Sequence, residues 1–146
     1  MKNKKIAIAS DHAGFYIKEK LVNYLREENY EVKDFGTFSA DSVDYPDFIH
    51  PVAKGIDEGM YTMGIVICGS GQGANMVANK YQGVRCALCW NMEQAELSRR
   101  HNNANIVSLP ARFISDETAV LIVKFFLETA FEGGRHELRI NKIPLQ

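Results

Sequence analysis

The run Gly64-Ile65-Val66-Ile67-Cys68-Gly69-Ser70-Gly71-Gln72-Gly73-Ala74-Asn75 concentrates more chemistry than any other stretch of this chain. An apolar segment ends at a thiol, and glycines then alternate up to the start of a helix-forming stretch. Alternate glycines let successive backbone N–H groups point inward, making a concave anion site at a positive helix end. A thiol on the rim of such a site is favoured as thiolate and could act as a base toward a carbon-bound proton. The same Cys68 could also be an apolar filler at a strand end. A tight turn needing positive φ would account for one or two of the glycines but not comfortably for three. The spacing is G-x-G-x-G rather than G-x-G-x-x-G, and no acidic residue stands at a strand end about 20 residues later, so a dinucleotide site is not expected.

Other candidates lie along the chain. Asp11 and His12 follow the first apolar run directly, in Ala9-Ser10-Asp11-His12-Ala13-Gly14-Phe15, so both side chains would enter the same crevice as Cys68. Asp11 has an alternative use as a helix N-cap, whereas His12 has none of that kind. His101-Asn102 ends a helical segment behind Arg99-Arg100, a position that also suits a solvated helix end whose cations favour the dipole. Arg135 and Arg139 stand i, i+4 on one helix face, either as solvated arginines or as guanidinium forks matched to phosphate oxygens. An anion nest, a base, imidazoles and clustered arginines together suit a phosphorylated substrate with an exchangeable carbon-bound proton.

The elements that must position these groups alternate along the chain. Apolar strands are expected over 5–10, 30–35, 63–68, 84–90 and 104–109, and helices over 16–29, 46–59, 73–80, 92–102 and 116–129. Strand-helix alternation implies a three-layer α/β/α sandwich, a doubly wound, Rossmann-like parallel sheet with ligands beyond the carboxyl ends of its strands. No repeat or linker interrupts the pattern, so residues 1–146 are read as one domain. After Gly133-Gly134 a short basic helix follows, and the segment from about 131 to 146 could pack on a neighbouring subunit.

Composition narrows the function classes. Lys+Arg 17 against Asp+Glu 18, a net charge of −1, gives no sign of a polyanion-binding surface, so nucleic acid is not an expected partner. The basic start Met1-Lys2-Asn3-Lys4-Lys5 precedes an apolar run too short for a secretion signal, and no later run reaches the ~20 apolar residues of a membrane helix. A cytoplasmic protein without membrane contact is expected. Cys86-Ala87-Leu88-Cys89 reads as C-x-x-C, a possible thiol redox pair, but the surrounding residues 83–90 look like a buried strand with cysteines as small apolar fillers.

The residues Ser10-Asp11-His12-Ala13-Gly14-Phe15, Asp44-Tyr45-Pro46, Ile67 through Gly73, Asn79-Lys80, Ser98-Arg99-Arg100-His101-Asn102 and Glu132-Gly133-Gly134-Arg135-His136 resemble, in order and nearly end to end, the ribose-5-phosphate isomerase B / galactose-6-phosphate isomerase family. That resemblance implies interconversion of D-ribose 5-phosphate and D-ribulose 5-phosphate with neither metal nor other cofactor, in a homodimer that often pairs into a tetramer. It assigns Cys68 as the base working through a cis-enediolate, the amides of Gly69, Ser70, Gly71, Gln72 and Gly73 as holders of its oxygens, and His101 as the ring opener. Ser70 and Asp11 become hydrogen-bonding helpers, His12, Arg112, Arg135 and Arg139 the phosphate clamp, and Asn102 a contact to the sugar chain. In the family His101, Asn102 and the arginines come from the partner subunit. Ser70 stands where many relatives have Thr, Asn103 where an Asp is common, and Gln72 where a small or aliphatic residue is usual, changes that bear on sugar preference. The competing readings are a hexose 6-phosphate isomerase of the same family, acting on allose or galactose 6-phosphate, and a non-catalytic sugar-phosphate-binding protein.

Overall fold

The computed structural model describes residues 4–146; Met1, Lys2 and Asn3 of the basic start lie outside the described residues. Three strands form the buried centre of the sheet: β1 (Lys5–Ser10), β3 (Met63–Cys68) and β5 (Ile106–Pro110). Apart from Lys5 every residue in them is buried, as expected for strands covered on both faces. β2 (Glu31–Asp34) and β4 (Cys86–Leu88) form the edges, giving a five-stranded sheet in the order β2-β1-β3-β5-β4 with every pairing parallel.

Helices cover both faces, as the alternation requires. α1 (Phe15–Glu27), α4 (Met92–Asn102) and α5 (Asp116–Glu128) pack on Ile6, Ile8, Ile65, Ile67, Val107 and Leu109. α2 (Tyr45–Asp57) and α3 (Gln72–Ala78) pack on the opposite face, against Ala7, Ala9, Val66, Cys68 and Ile106. α6 (Arg135–Ile140) closes the chain and packs beside α4. The three-layer α/β/α architecture is the one expected.

The strand expected over 84–90 is corrected. It shortens to Cys86–Leu88 and is half-buried rather than buried, because β4 pairs with β5 alone and its other edge is open. Cys89 belongs to the cluster under α1 and α5, while Cys86 packs toward α2 and α3. The two thiols therefore lie on opposite faces of the sheet, where an odd offset along an extended chain sends them. Burial raises Cys89 to about 11 and Cys86 well above its ordinary value, so neither is a ready thiolate. The redox pair has no geometric support.

The winding of the sheet reverses between β1 and β3, since β2 lies to one side of β1 and β3 to the other. The crevice at their carboxyl ends is where such a sheet collects ligands.

Candidate active site

Cys68 ends β3 in that crevice, 4% exposed, opposite Pro110 of β5. Its carbonyl accepts the backbone N–H of Ala111 at 2.9 Å. Three glycines follow, each for a different reason. Gly71 adopts φ +75° as the N-cap of α3, and a Cβ there would come within 3.1 Å of the Leu109 carbonyl carbon. Gly73 leaves room for the Tyr45 ring, and Gly69 leaves room for Arg112, whose Nη1 would stand 3.0 Å from an added Cβ. Only one of the three is a matter of positive φ.

The turn is tied down by hydrogen bonds. The Gly71 carbonyl accepts the buried Ser108 hydroxyl at 2.7 Å, and the Arg112 N–H donates to the Gly69 carbonyl at 2.9 Å. Ser70 Oγ accepts the Gln72 N–H at 3.2 Å, which occupies one amide of the expected nest and leaves the Ser70 hydroxyl proton to donate elsewhere. The Gln72 side chain is exposed at the mouth of the turn.

Asp11 and His12 reach the same crevice from β1. Asp11 is buried and does not cap α1, whose N-cap is Gly14 without a side-chain bond. Its Oδ1 instead accepts the Gly14 N–H at 3.1 Å, closing the turn that leads into the helix. The backbone N–H of Val43 donates to His12 Nδ1 at 3.1 Å. With Nδ1 accepting, the neutral ring carries its proton on Nε2, a donor suited to an anion.

The remaining expected residues lie elsewhere. α4 returns from the carboxyl end of the sheet to its amino end, so His101 and Asn102 finish beside the start of β4. There Arg85 Nε donates to the carbonyls of Asn102 and Asn103 at 3.1 and 3.0 Å. They are separated from Cys68 by roughly the length of β5, about 13 Å at ~3.3 Å per residue. Arg139 shares a hollow of about 340 Å³ with His101, Asn102, His136, Ile140 and Ile143. Arg135 stands one turn earlier on α6, exposed and outside that lining.

The candidate residues thus fall into two groups, Asp11, His12, Cys68–Gly73 and Arg112 at one end of the sheet, His101, Asn102 and Arg139 at the other. Arg112 corrects the expectation that the arginines travel together: it sits against Gly69 of its own chain.

Arg99 also departs from expectation. Rather than lying on a solvated helix end it is 7% exposed, donating to Asn103 Oδ1 at 2.9 Å, to the Thr129 carbonyl at 3.2 Å and to the Ala104 carbonyl at 2.5 Å. Burial, with Arg85 nearby, lowers its guanidinium pKa. It clamps the end of α4 to the segment leading toward α6. That segment brings the Glu132 N–H onto the Arg100 carbonyl at 3.0 Å, placing Glu132 and His136 beside His101. Tyr45, Glu132 and His136 are neighbours of these two groups that residue spacing did not reveal, since Tyr45 meets Gly73, and Glu132 and His136 meet His101, across long sequence separations.

Comparison with known proteins gives the family to which this fold belongs. The family model described as Ribose/Galactose Isomerase matches residues 6–143. Ribose-5-phosphate isomerase B of Escherichia coli K12 is 41% identical, covering 96% of this chain and 94% of its own. The crystal structure of a ribose 5-phosphate isomerase from Thermotoga maritima is 52% identical with a TM-score of 0.94, over 97% of both chains. Ribose-5-phosphate isomerase B of Mycoplasma genitalium, solved with bound ribulose-5-phosphate, is 42% identical with a TM-score of 0.92, over 95% of this chain and 93% of that one. With a family match spanning nearly the whole chain and relatives 41% to 52% identical, the chain belongs to the ribose/galactose isomerase family.

Proposed function

We propose that this chain is an aldose–ketose isomerase that interconverts D-ribose 5-phosphate and D-ribulose 5-phosphate, as a single-domain protein of the cytosol working in homodimers or larger assemblies. The observation that carries the reading is the likeness to the Mycoplasma genitalium enzyme that holds ribulose-5-phosphate, joined to a thiol at the rim of a glycine turn in the crevice of this chain.

In this mechanism Cys68, as thiolate, takes the proton from C2 and returns it to C1, the electron pair passing through a cis-enediolate. The N–H groups of the Gly69–Gly73 turn, other than the Gln72 amide that Ser70 Oγ holds, serve the oxygens on which that charge develops, where fixed donors contribute most. The exposed Gln72 side chain adds a contact to the sugar at the mouth of the turn. Ser70 and Asp11 hydrogen-bond the sugar hydroxyls. His101 moves the proton that opens the furanose ring, and Asn102 contacts the opened chain. His12, through Nε2–H, binds the phosphate together with Arg112, Arg135 and Arg139. Because His101 and Asn102 lie at the far end of the sheet, a complete site draws them, with Arg135 and Arg139, from a second copy of the chain, and the segment 131–146 packs across that contact.

The test is ketose formation from D-ribose 5-phosphate and D-allose 6-phosphate side by side, with EDTA and no nucleotide. Preferential conversion of the pentose supports the reading; preference for the hexose keeps the mechanism and moves the substrate, and conversion of neither overturns it. No helix among the described residues is long and apolar enough to cross a membrane.

A further inference from the structure

Beside Arg139, at the junction of α4 and α6, two imidazoles and a carboxylate converge. Glu132 Oε1 lies 3.9 Å from His101 Nε2 and 3.4 Å from His136 Nε2. The two rings are stacked, centroids 4.4 Å apart and planes 13° apart, so both Nε2 edges face the same carboxylate. All three donor atoms lie within 4.8 Å of one another. Metal–ligand bonds of ~2.0–2.1 Å in a tetrahedral arrangement hold donors about 3.3–3.4 Å apart, so this cluster is within a small side-chain adjustment of that geometry.

The donors are also anchored. Glu132 is fixed through its backbone N–H on the Arg100 carbonyl, and the His136 side chain is only 12% exposed. The other two side chains, 41% and 48% exposed, leave the approach open. Two imidazoles with one carboxylate are a donor set that zinc takes when it keeps a fourth position for solvent.

We propose that His101, Glu132 and His136 bind a divalent transition metal of borderline softness, zinc foremost, and that occupancy inhibits the enzyme. The bond to the metal uses the lone pair of His101 Nε2, which proton transfer to and from the sugar requires. The inhibition rests on the isomerase reading above; the site itself does not. Since the donors come from two helices and the segment between them, a bound ion also staples α6 to the end of α4.

The experiment is calorimetric titration of Zn2+ into tag-free, metal-free protein, repeated with Co2+ followed by its visible absorption, beside isomerase assays at the same metal concentrations. Wild type is expected to take up one Zn2+ per chain and to lose turnover in step with binding. Glu132→Gln and His136→Asn are expected to weaken binding by more than the roughly 10–100-fold that loss of an outer-shell partner costs. Glu132→Gln should turn over normally without metal and resist inhibition, with an unchanged melting temperature showing that the fold persists. Absence of stoichiometric uptake overturns the site, as does undiminished binding in both variants, which would put the metal on Cys68 or another donor. Uptake through these residues by a chain with no metal-free activity upholds the site and sinks the isomerase reading.

Discussion

Arg112 lies across Gly69: its N–H donates to the Gly69 carbonyl at 2.9 Å, and its Nη1 stands 3.0 Å from where a Cβ on Gly69 would project. A methyl group there meets the mobile end of a side chain, not backbone. Gly69→Ala is therefore expected to melt within ~0.5 kcal/mol of wild type while displacing the guanidinium and weakening phosphate affinity. Calorimetric titration with inorganic phosphate reads the difference, and unchanged affinity would remove Arg112 from the clamp. Gly71→Ala is the contrast: φ +75° and the backbone of Leu109 and Pro110 oppose it, so folding itself should suffer by ~1–3 kcal/mol.

Base and clamp are separate groups, so their variants should fail differently. Cys68→Ala should lower turnover by at least the ~10²–10⁴-fold of a lost general base, with phosphate binding nearly intact. Solvent deuterium incorporation at C2 is the direct readout, and exchange at the wild-type rate would end the role of Cys68. Arg135→Ala and Arg139→Ala should each lose ~1.5–3 kcal/mol of affinity for substrate and for inorganic phosphate alike.

Lys18 is a cation with no exposed side-chain surface, bonded to Asp34 Oδ2 at 2.8 Å and to Glu19 at 3.0 Å. Removing the inner partner leaves a buried charge with only a half-exposed one. Asp34→Asn should cost on the order of 3 kcal/mol in urea unfolding, and adding Lys18→Met should recover much of it, because removing both charges avoids the unpaired one. An unaltered midpoint in the single variant would show that Glu19 suffices.

The thiol of Cys89 gives a pH dependence with a defined sign. Burial raises it from 9.0 to about 11, against a weaker opposing hydrogen bond from Ser98. Across that window the unfolded chain ionises while the folded chain stays protonated, so folded stability is lost as pH rises. Cys89→Ala should flatten the alkaline limb of a melting-temperature profile between those values, and alkylation of Cys86 and Cys89 at neutral pH should be slow unless the chain unfolds.

Strong periodicity made much of the fold legible in the sequence. β1, β3 and α4 begin and end where apolar runs, caps and glycines place them. β4 was overextended because an apolar run such as 84–90 does not reveal how many neighbours a strand has, and pairing on one side alone shortened it. The Cys68 half of the site was readable because its chemistry follows strand ends directly. Arg99 was misread since its acceptors, among them the Thr129 carbonyl, arrive from another element. His136 stands in the motif 132–136, yet its contact with His101 was not legible there, because the two stacked rings are distant in sequence.

All strands of the sheet point one way, and the two groups of candidate residues stand at its opposite ends. On the reading proposed above, a lone chain carries every group the reaction needs and completes no site with them. Turnover in such a protein scales with the square of chain concentration once dilution outruns association. On that reading, Cys68→Ala and His101→Ala chains, each expected to be inert alone, should regain activity when mixed and allowed to exchange partners, since half of the sites in a mixed pair are then intact.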